Sequence, residues 1–144
     1  MHTIWNGPVS VELLNDLNKE TLGEFFEIEF TEIGPDVIKA TMPVTNKTKQ
    51  PFGLLHGGAS VALAETVGSV ASWCVINRDL FIGVGIEINA NHIKSVTEGL
   101  VTAHCSAIKV SGKIHIWDIR IYNQLSELCT ICRFTCMIVP KRGQ

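Results

Sequence analysis

The chain has 144 residues, 46% hydrophobic and 18% charged, enough for one domain with a substantial core. Its formal charge of −2 excludes the basic stripe that nucleic-acid binding requires, so no nucleic-acid partner is expected. Five cysteines, at 74, 105, 129, 132 and 136, are an odd number without framework spacing, and the first residues lack the basic and apolar regions of a signal peptide. Reduced thiols in a cytoplasmic protein are the expectation.

Ser10 is placed to cap a short amphipathic helix with Glu12 in its first turn and Leu13, Leu14 and Leu17 on one side; Gly23 is expected to end it. From Phe25 the period shortens to two. Phe26, Ile28 and Phe30 alternate with Glu27, Glu29 and Thr31, which predicts a half-buried strand. Gly34-Pro35-Asp36 signals a turn, residues 37–44 return as a second strand, and residues 45–55 form a loop, polar first and then rich in Pro and Gly.

That loop ends in Gln50-Pro51-Phe52-Gly53-Leu54-Leu55-His56-Gly57-Gly58 and opens into the run on which the chain centres. From Gly57 to Asn77 the only charged side chain is Glu65; the run lacks Pro, is rich in Ala and Val, and is too long for a strand, so it reads as a buried helix. Glu65, the hydroxyl residues and several glycines dilute it relative to a membrane span, and no basic flank sets an orientation, so no membrane partner is expected. At ~100° per residue, Gly58, Val61, Ala62, Glu65, Ser69 and Ser72 share one face, and Leu63, Val67, Val70 and Cys74 the opposite one.

Residues 81–90 follow as a strand, with Gly83 and Gly85 as bulges or close approaches. Residues 100–110, 114–123 and 128–139 read as three long strands, joined by tight turns at Ser111-Gly112-Lys113 and at residues 123–127. Two strands, one long buried helix and at least four more strands predict an α+β fold, with an antiparallel sheet covering the helix on one face.

A lone carboxylate on a buried helix is costly, and stability alone favours an apolar residue at 65, so Glu65 is the leading functional candidate. His56-Gly57-Gly58 at the helix start leaves backbone N–H groups unpaired at the positive end of the macrodipole, a setting for an anion or a developing oxyanion. A serine-esterase reading of His-Gly-Gly fails because the chain has no G-x-S-x-G elbow. His92, beside Asn89 and Asn91, and Gln50 in the loop are each as easily exposed as site-lining. Cys129 and Cys132 form a lone C-x-x-C whose members point to opposite faces of a strand, so buried apolar thiols fit better than a metal site.

Residues 48–69, with Gln50 to Ser60 and then Ala64-Glu65, together with Glu87-Ile88-Asn89-Ala90-Asn91-His92, resemble the hotdog-fold acyl-CoA thioesterases. The resemblance is to the bacterial subgroup acting on 1,4-dihydroxy-2-naphthoyl-CoA and its siderophore-pathway proofreading relatives, and it runs across essentially the whole chain, Trp117 included. It implies a hotdog fold and a place in menaquinone biosynthesis or in proofreading. It implies that Glu65 is nucleophile or general base, that the Gly57 N–H polarises the thioester carbonyl with help from Gln50, and that His56 assists at the thioester or departing thiolate. Ser69 would hold Glu65 or the water, His92 would line the acyl pocket, and Phe52 would favour a flat acyl group. Lys94, standing where relatives carry Arg, Lys109 and Lys113 are candidates for the coenzyme A phosphates. No metal and no cofactor are implied; the expected partners are acyl-CoA or an acyl-carrier protein, and a second copy of the chain as a homodimer or a dimer of dimers. A non-catalytic acyl-CoA-binding module and a hotdog dehydratase are the competing classes.

Helix geometry bears on the second copy. Gly57 and Glu65 are eight residues apart, about 12 Å along one axis, of which the Glu side chain recovers ~3–4 Å by leaning back. A carbonyl polariser and an attacking carboxylate must sit within ~3–4 Å of one carbonyl. Two antiparallel helices related by a two-fold axis meet that demand; one helix does not.

Overall fold

The computed structural model describes residues 2–142. In chain order it has α1 (Val11–Leu17), α2 (Leu22–Phe25), β1 (Glu29–Ile33), β2 (Val37–Pro43), α3 (Gly57–Val75), β3 (Phe81–His92), β4 (Leu100–Val110), β5 (Ile114–Tyr122) and β6 (Leu128–Pro140). All six strands form one antiparallel sheet in the order β1-β2-β4-β5-β6-β3, and the sheet packs around α3: the expected hotdog arrangement.

Ser10 caps α1 by accepting from the Leu13 N–H at 3.2 Å, but α1 stops at Leu17, and Gly23 lies within the separate α2 rather than ending α1. The alternation expected from Phe25 begins later, at Ile28 and Phe30, because Thr21 caps a second helical turn through Phe25 and Glu27 turns the chain with φ +56°. A two-residue period cannot be told from a short capped turn when the apolar residues serve both.

The inner faces of the strands show why α3 is so apolar. Leu63, Ala64, Val67, Ala71 and Cys74 are fully buried, as are Val101 and Ala103 of β4, Trp117, Ile119 and Ile121 of β5, and Phe134 of β6. By length and composition α3 could cross a membrane, yet half of its apolar stretch is buried within the fold. Ser72 departs from the expected polar face. It is buried against β5, where its hydroxyl accepts from Trp117 Nε1 at 2.8 Å, while Val70 is only half-buried. Trp5 stacks on Trp117 with centroids 6.4 Å apart and donates from Nε1 to the Gly34 carbonyl at 2.7 Å, so the N-terminal segment closes this end of the core.

β3 is different. It pairs with β6 along one edge and with no strand among the described residues along the other, and it leaves Ile82, Val84 and Ile86 41–51% exposed. A 12-residue strand with a bare apolar edge is a template for pairing with another chain.

Beside Trp117, His115 is 1% exposed, its Nδ1 has no hydrogen-bond partner among the described residues, and burial holds its pKa below the ordinary imidazole value, with the Ser111 backbone opposing. The folded state therefore refuses a proton that the unfolded chain accepts. Stability is fully present above about pH 6.5 and falls as the pH drops toward the lowered folded pKa. His104, lowered by burial and then by Lys39, adds to the same slope. His115→Phe is expected to flatten the urea midpoint measured from about pH 7 to 5. An equally steep profile in the variant would exclude His115 as a source.

Candidate active site

The loop before α3 is pinned at Thr48, which is buried; its hydroxyl accepts from the Thr45 N–H and donates to the Pro43 carbonyl, both at 2.9 Å. The Thr48 carbonyl in turn accepts from the His56 N–H at 2.7 Å. Between these anchors Gln50 is held from three sides. Its N–H donates to the Leu54 carbonyl at 2.8 Å, its carbonyl accepts from Gly53 at 2.9 Å, and its side-chain Oε1 accepts from the Phe52 and Leu54 N–H groups. With the oxygen engaged, the free end of the amide is Nε2, a donor.

His56 is the N-cap of α3, its Nδ1 accepting from the Gly58 N–H at 2.8 Å. That bond leaves Nδ1 unprotonated and the proton on Nε2. Ala59 and Ser60 direct their N–H groups to the His56 carbonyl, so the Gly57 N–H has no partner among the described residues. The absence of a side chain at position 57 lets the His92 ring come close: a Cβ would lie 2.9 Å from its Nε2 and would displace the imidazole. The other nitrogen of that ring, Nδ1, is 3.4 Å from the hydroxyl of the buried Thr130. Gln50, Gly57, Ser60, His92, Lys94 and Thr130 line one cavity of about 340 Å³.

Glu65, two turns along α3, faces elsewhere. It is half-buried, with Oε1 2.8 Å from the place a Cβ of Gly85 would take, and the Phe134 ring lies 2.9 Å from that same place. The missing side chain of Gly85 thus makes room for the carboxylate, and the ladder to β6 is broken by a bulge between Gly85 and Glu87. Glu65 lines a groove of about 610 Å³ between α3 and the α1–α2 segment, together with Thr66 and Ser69. Among the described residues no hydrogen bond joins Ser69 to Glu65, and Ser69 is exposed.

One chain therefore gathers Gln50, Gly57, His92 and Lys94 in one cavity and Glu65 with Ser69 in another. His56 lines neither cavity and serves as the helix cap. Phe52 is 88% exposed at the loop tip. Lys94 pairs with Glu127 at 3.0 Å, and Lys113 lines a separate cavity with Phe81 and Met137, away from both groups. Of the two asparagines near His92, Asn89 bonds Glu87 on the exposed side and Asn91 is exposed. Sequence reasoning missed Ser60, a hydroxyl residue in the first turn of α3, and Thr130, which the pairing of β3 with β6 sets opposite His92. It also missed the link between Gly85 and Glu65, although two glycines in an otherwise apolar strand signalled a close approach.

The arrangement has a donor pair at a helix start and a carboxylate in an apolar groove, the parts needed for attack on a polarised carbonyl. The family model of the Thioesterase superfamily matches residues 52–130, which spans the helix start, Glu65 and His92. The chain belongs to the Thioesterase superfamily. It is 43% identical over 136 residues to the 1,4-dihydroxy-2-naphthoyl-CoA hydrolase of Escherichia coli, covering 94% of this chain and 99% of that one. To a proofreading thioesterase of Cronobacter turicensis it is 41% identical over 136 residues, covering 94% and 98%. The crystal structure of a mutant thioesterase from Pseudomonas aeruginosa superposes with a TM-score of 0.95 at 39% identity, covering 96% of this chain and 100% of that one. A thioesterase from Haemophilus influenzae gives 0.92 at 40% identity, with 96% of each chain covered. As a member of the Thioesterase superfamily the chain is an acyl-CoA thioesterase.

Proposed function

We propose that this thioesterase hydrolyses aryl-CoA thioesters, of which 1,4-dihydroxy-2-naphthoyl-CoA and hydroxybenzoyl-CoA are the leading candidates, at two equivalent sites each built from two subunits. The observation that carries the reading is the division of the machinery on one chain: Glu65 and the Gln50–Gly57–His92 group line different cavities. Both halves are needed at one carbonyl. The bare edge of β3 supplies the way to join them. Gly85 marks the position of Glu65 and His92 that of Gly57, so two β3 edges paired antiparallel with Gly85 opposite His92 of the partner subunit bring the halves together. The two-fold axis then falls between Ile88 and Asn89, and the isologous contact makes two identical sites.

In that site the Gly57 N–H and Gln50 Nε2 donate to the carbonyl oxygen of the thioester. Glu65 either attacks the carbonyl carbon, giving an acyl-enzyme anhydride that water cleaves, or removes a proton from an attacking water. The C–S bond breaks in either case, coenzyme A leaves as thiolate and takes up a proton, and the acid departs. Five buried, unpaired thiols suit the reducing cytoplasm in which such substrates occur. A dimer of dimers is compatible with the same site, and with a naphthoyl substrate the enzyme acts in menaquinone biosynthesis.

The near-equal identity to a proofreading thioesterase favours one second reading, an aryl group carried on a carrier protein. Free-thiol release from aryl-CoA, alkyl-CoA and aryl-carrier-protein substrates separates them. Aryl-CoA is expected to exceed palmitoyl-CoA in kcat/KM. Equal or better turnover of palmitoyl-CoA contradicts the aryl assignment, and a preference for the loaded carrier protein selects the second reading.

A further inference from the structure

We propose that the α1–α2 segment is the specificity wall of the enzyme, with Leu17 and Leu22 packing on the acyl group in the groove beside Glu65. The inference rests on the reading of Glu65 as the reacting carboxylate and adds where the two arms of the substrate go. Leu17 and Leu22 are 43% and 56% exposed, and both line the groove that holds Glu65, facing Val61 and Ala62 of α3. A carbonyl in contact with Glu65 has its acyl carbon chain or ring within reach of these four side chains.

Charge decides between the two arms. No lysine or arginine among the described residues lines the groove, and its carboxylate repels phosphates, so the nucleotide arm of coenzyme A is disfavoured there. The cavity with Gln50 and Gly57 is lined by no carboxylate among the described residues and holds Lys94, which Glu127 pairs at 3.0 Å, so it takes the pantetheine side. A neutral apolar acyl group covers the leucines and leaves Thr66 and Ser69 at the rim in water.

The wall is rigid. Asn15 exchanges hydrogen bonds with the Phe30 backbone at 2.8 and 3.0 Å, and buried Asn18 donates to the Ile28 carbonyl at 2.7 Å. The Thr21 hydroxyl donates to the Asn18 carbonyl at 2.6 Å and accepts from the Gly23 N–H at 3.2 Å. These bonds tie the turn between α1 and α2 to the start of β1, so Leu17 and Leu22 are presented in place before substrate arrives and little ordering entropy is spent on binding.

The test is the dependence of kcat/KM on acyl length across acetyl-, butanoyl-, hexanoyl- and benzoyl-CoA, for the wild type and for Leu17→Ser, Leu22→Ser and Ala62→Leu. Each methylene that reaches the wall is expected to raise kcat/KM by about fourfold in the wild type. In the serine variants the ratio of hexanoyl to acetyl is expected to fall at least about tenfold, and in Ala62→Leu, which fills the groove from the helix side, benzoyl is expected to lose at least as much relative to acetyl. Unchanged ratios in folded variants overturn the proposal. Glu65→Gln, assayed alongside, keeps the two claims apart. If it is inactive while the ratios stay unchanged, the acyl group lies elsewhere and the carboxylate assignment stands; if it is active, that assignment fails and this inference fails with it.

Discussion

Glu65→Gln is expected to lower kcat by at least about a hundredfold while the melting temperature and the affinity for a non-hydrolysable acyl-CoA analogue stay close to wild type. The amide has the size and shape of the carboxylate, so the seat against Gly85 remains filled and the half-buried position is left with a neutral polar group. What it loses is the ability to attack a carbonyl or accept a proton from water. Glu65→Asp is expected to be nearly as poor, since one methylene withdraws the carboxylate by more than about an ångström from a geometry that tolerates less. Turnover near the wild-type value in Glu65→Gln would remove Glu65 from the chemistry.

Gln50→Ala is expected to reduce kcat by about 10²- to 10³-fold, the usual cost of deleting one donor to a developing oxyanion. The residue does two things at once. Its Oε1 organises the loop by accepting from the Phe52 and Leu54 N–H groups, and that engagement aims Nε2 outward as the donor. Gln50→Glu separates the roles: the carboxylate can still accept the two loop bonds but cannot donate, and it sets a charge against the oxyanion. Gln50→Glu is therefore expected to be at least as inactive as Gln50→Ala and to melt closer to the wild type. A Gln50→Glu enzyme with substantial turnover would show that the amide donor is not used.

Much of the molecule was legible from residue patterns. The long α3 announced itself because a single glutamate interrupts an apolar, Pro-free run, and the β4, β5 and β6 strands because their turns are short and rich in Gly, Ser and Asn. The segment between α1 and β1 was not legible, since Phe25 and Phe26 fit a strand period and a capped helical turn equally well, and only the Thr21 cap decides. Ser72 looked like an extension of the polar face; its role as acceptor for Trp117 depends on a contact between residues 45 apart. At the candidate site, Glu65, Gly57 and Gln50 stood out by residue type and spacing. Thr130 and the α1–α2 leucines did not, because a threonine in a strand and leucines on a short helix carry no local sign of what the fold brings to them. Lys113 was suggested by proximity to a strand end, and the sheet places it beside Met137 instead.

The central claim, one site from two subunits, is tested most directly by subunit mixing. Glu65→Gln and Gln50→Ala subunits, each nearly inactive alone, are exchanged and the heterodimers isolated by orthogonal tags. In such a dimer one site carries both replacements and the other regains both native groups. The predicted result is thioesterase activity rising to about half that of the wild-type dimer, since one of two sites is intact. Verified heterodimers with no more activity than their parents would contradict the shared site.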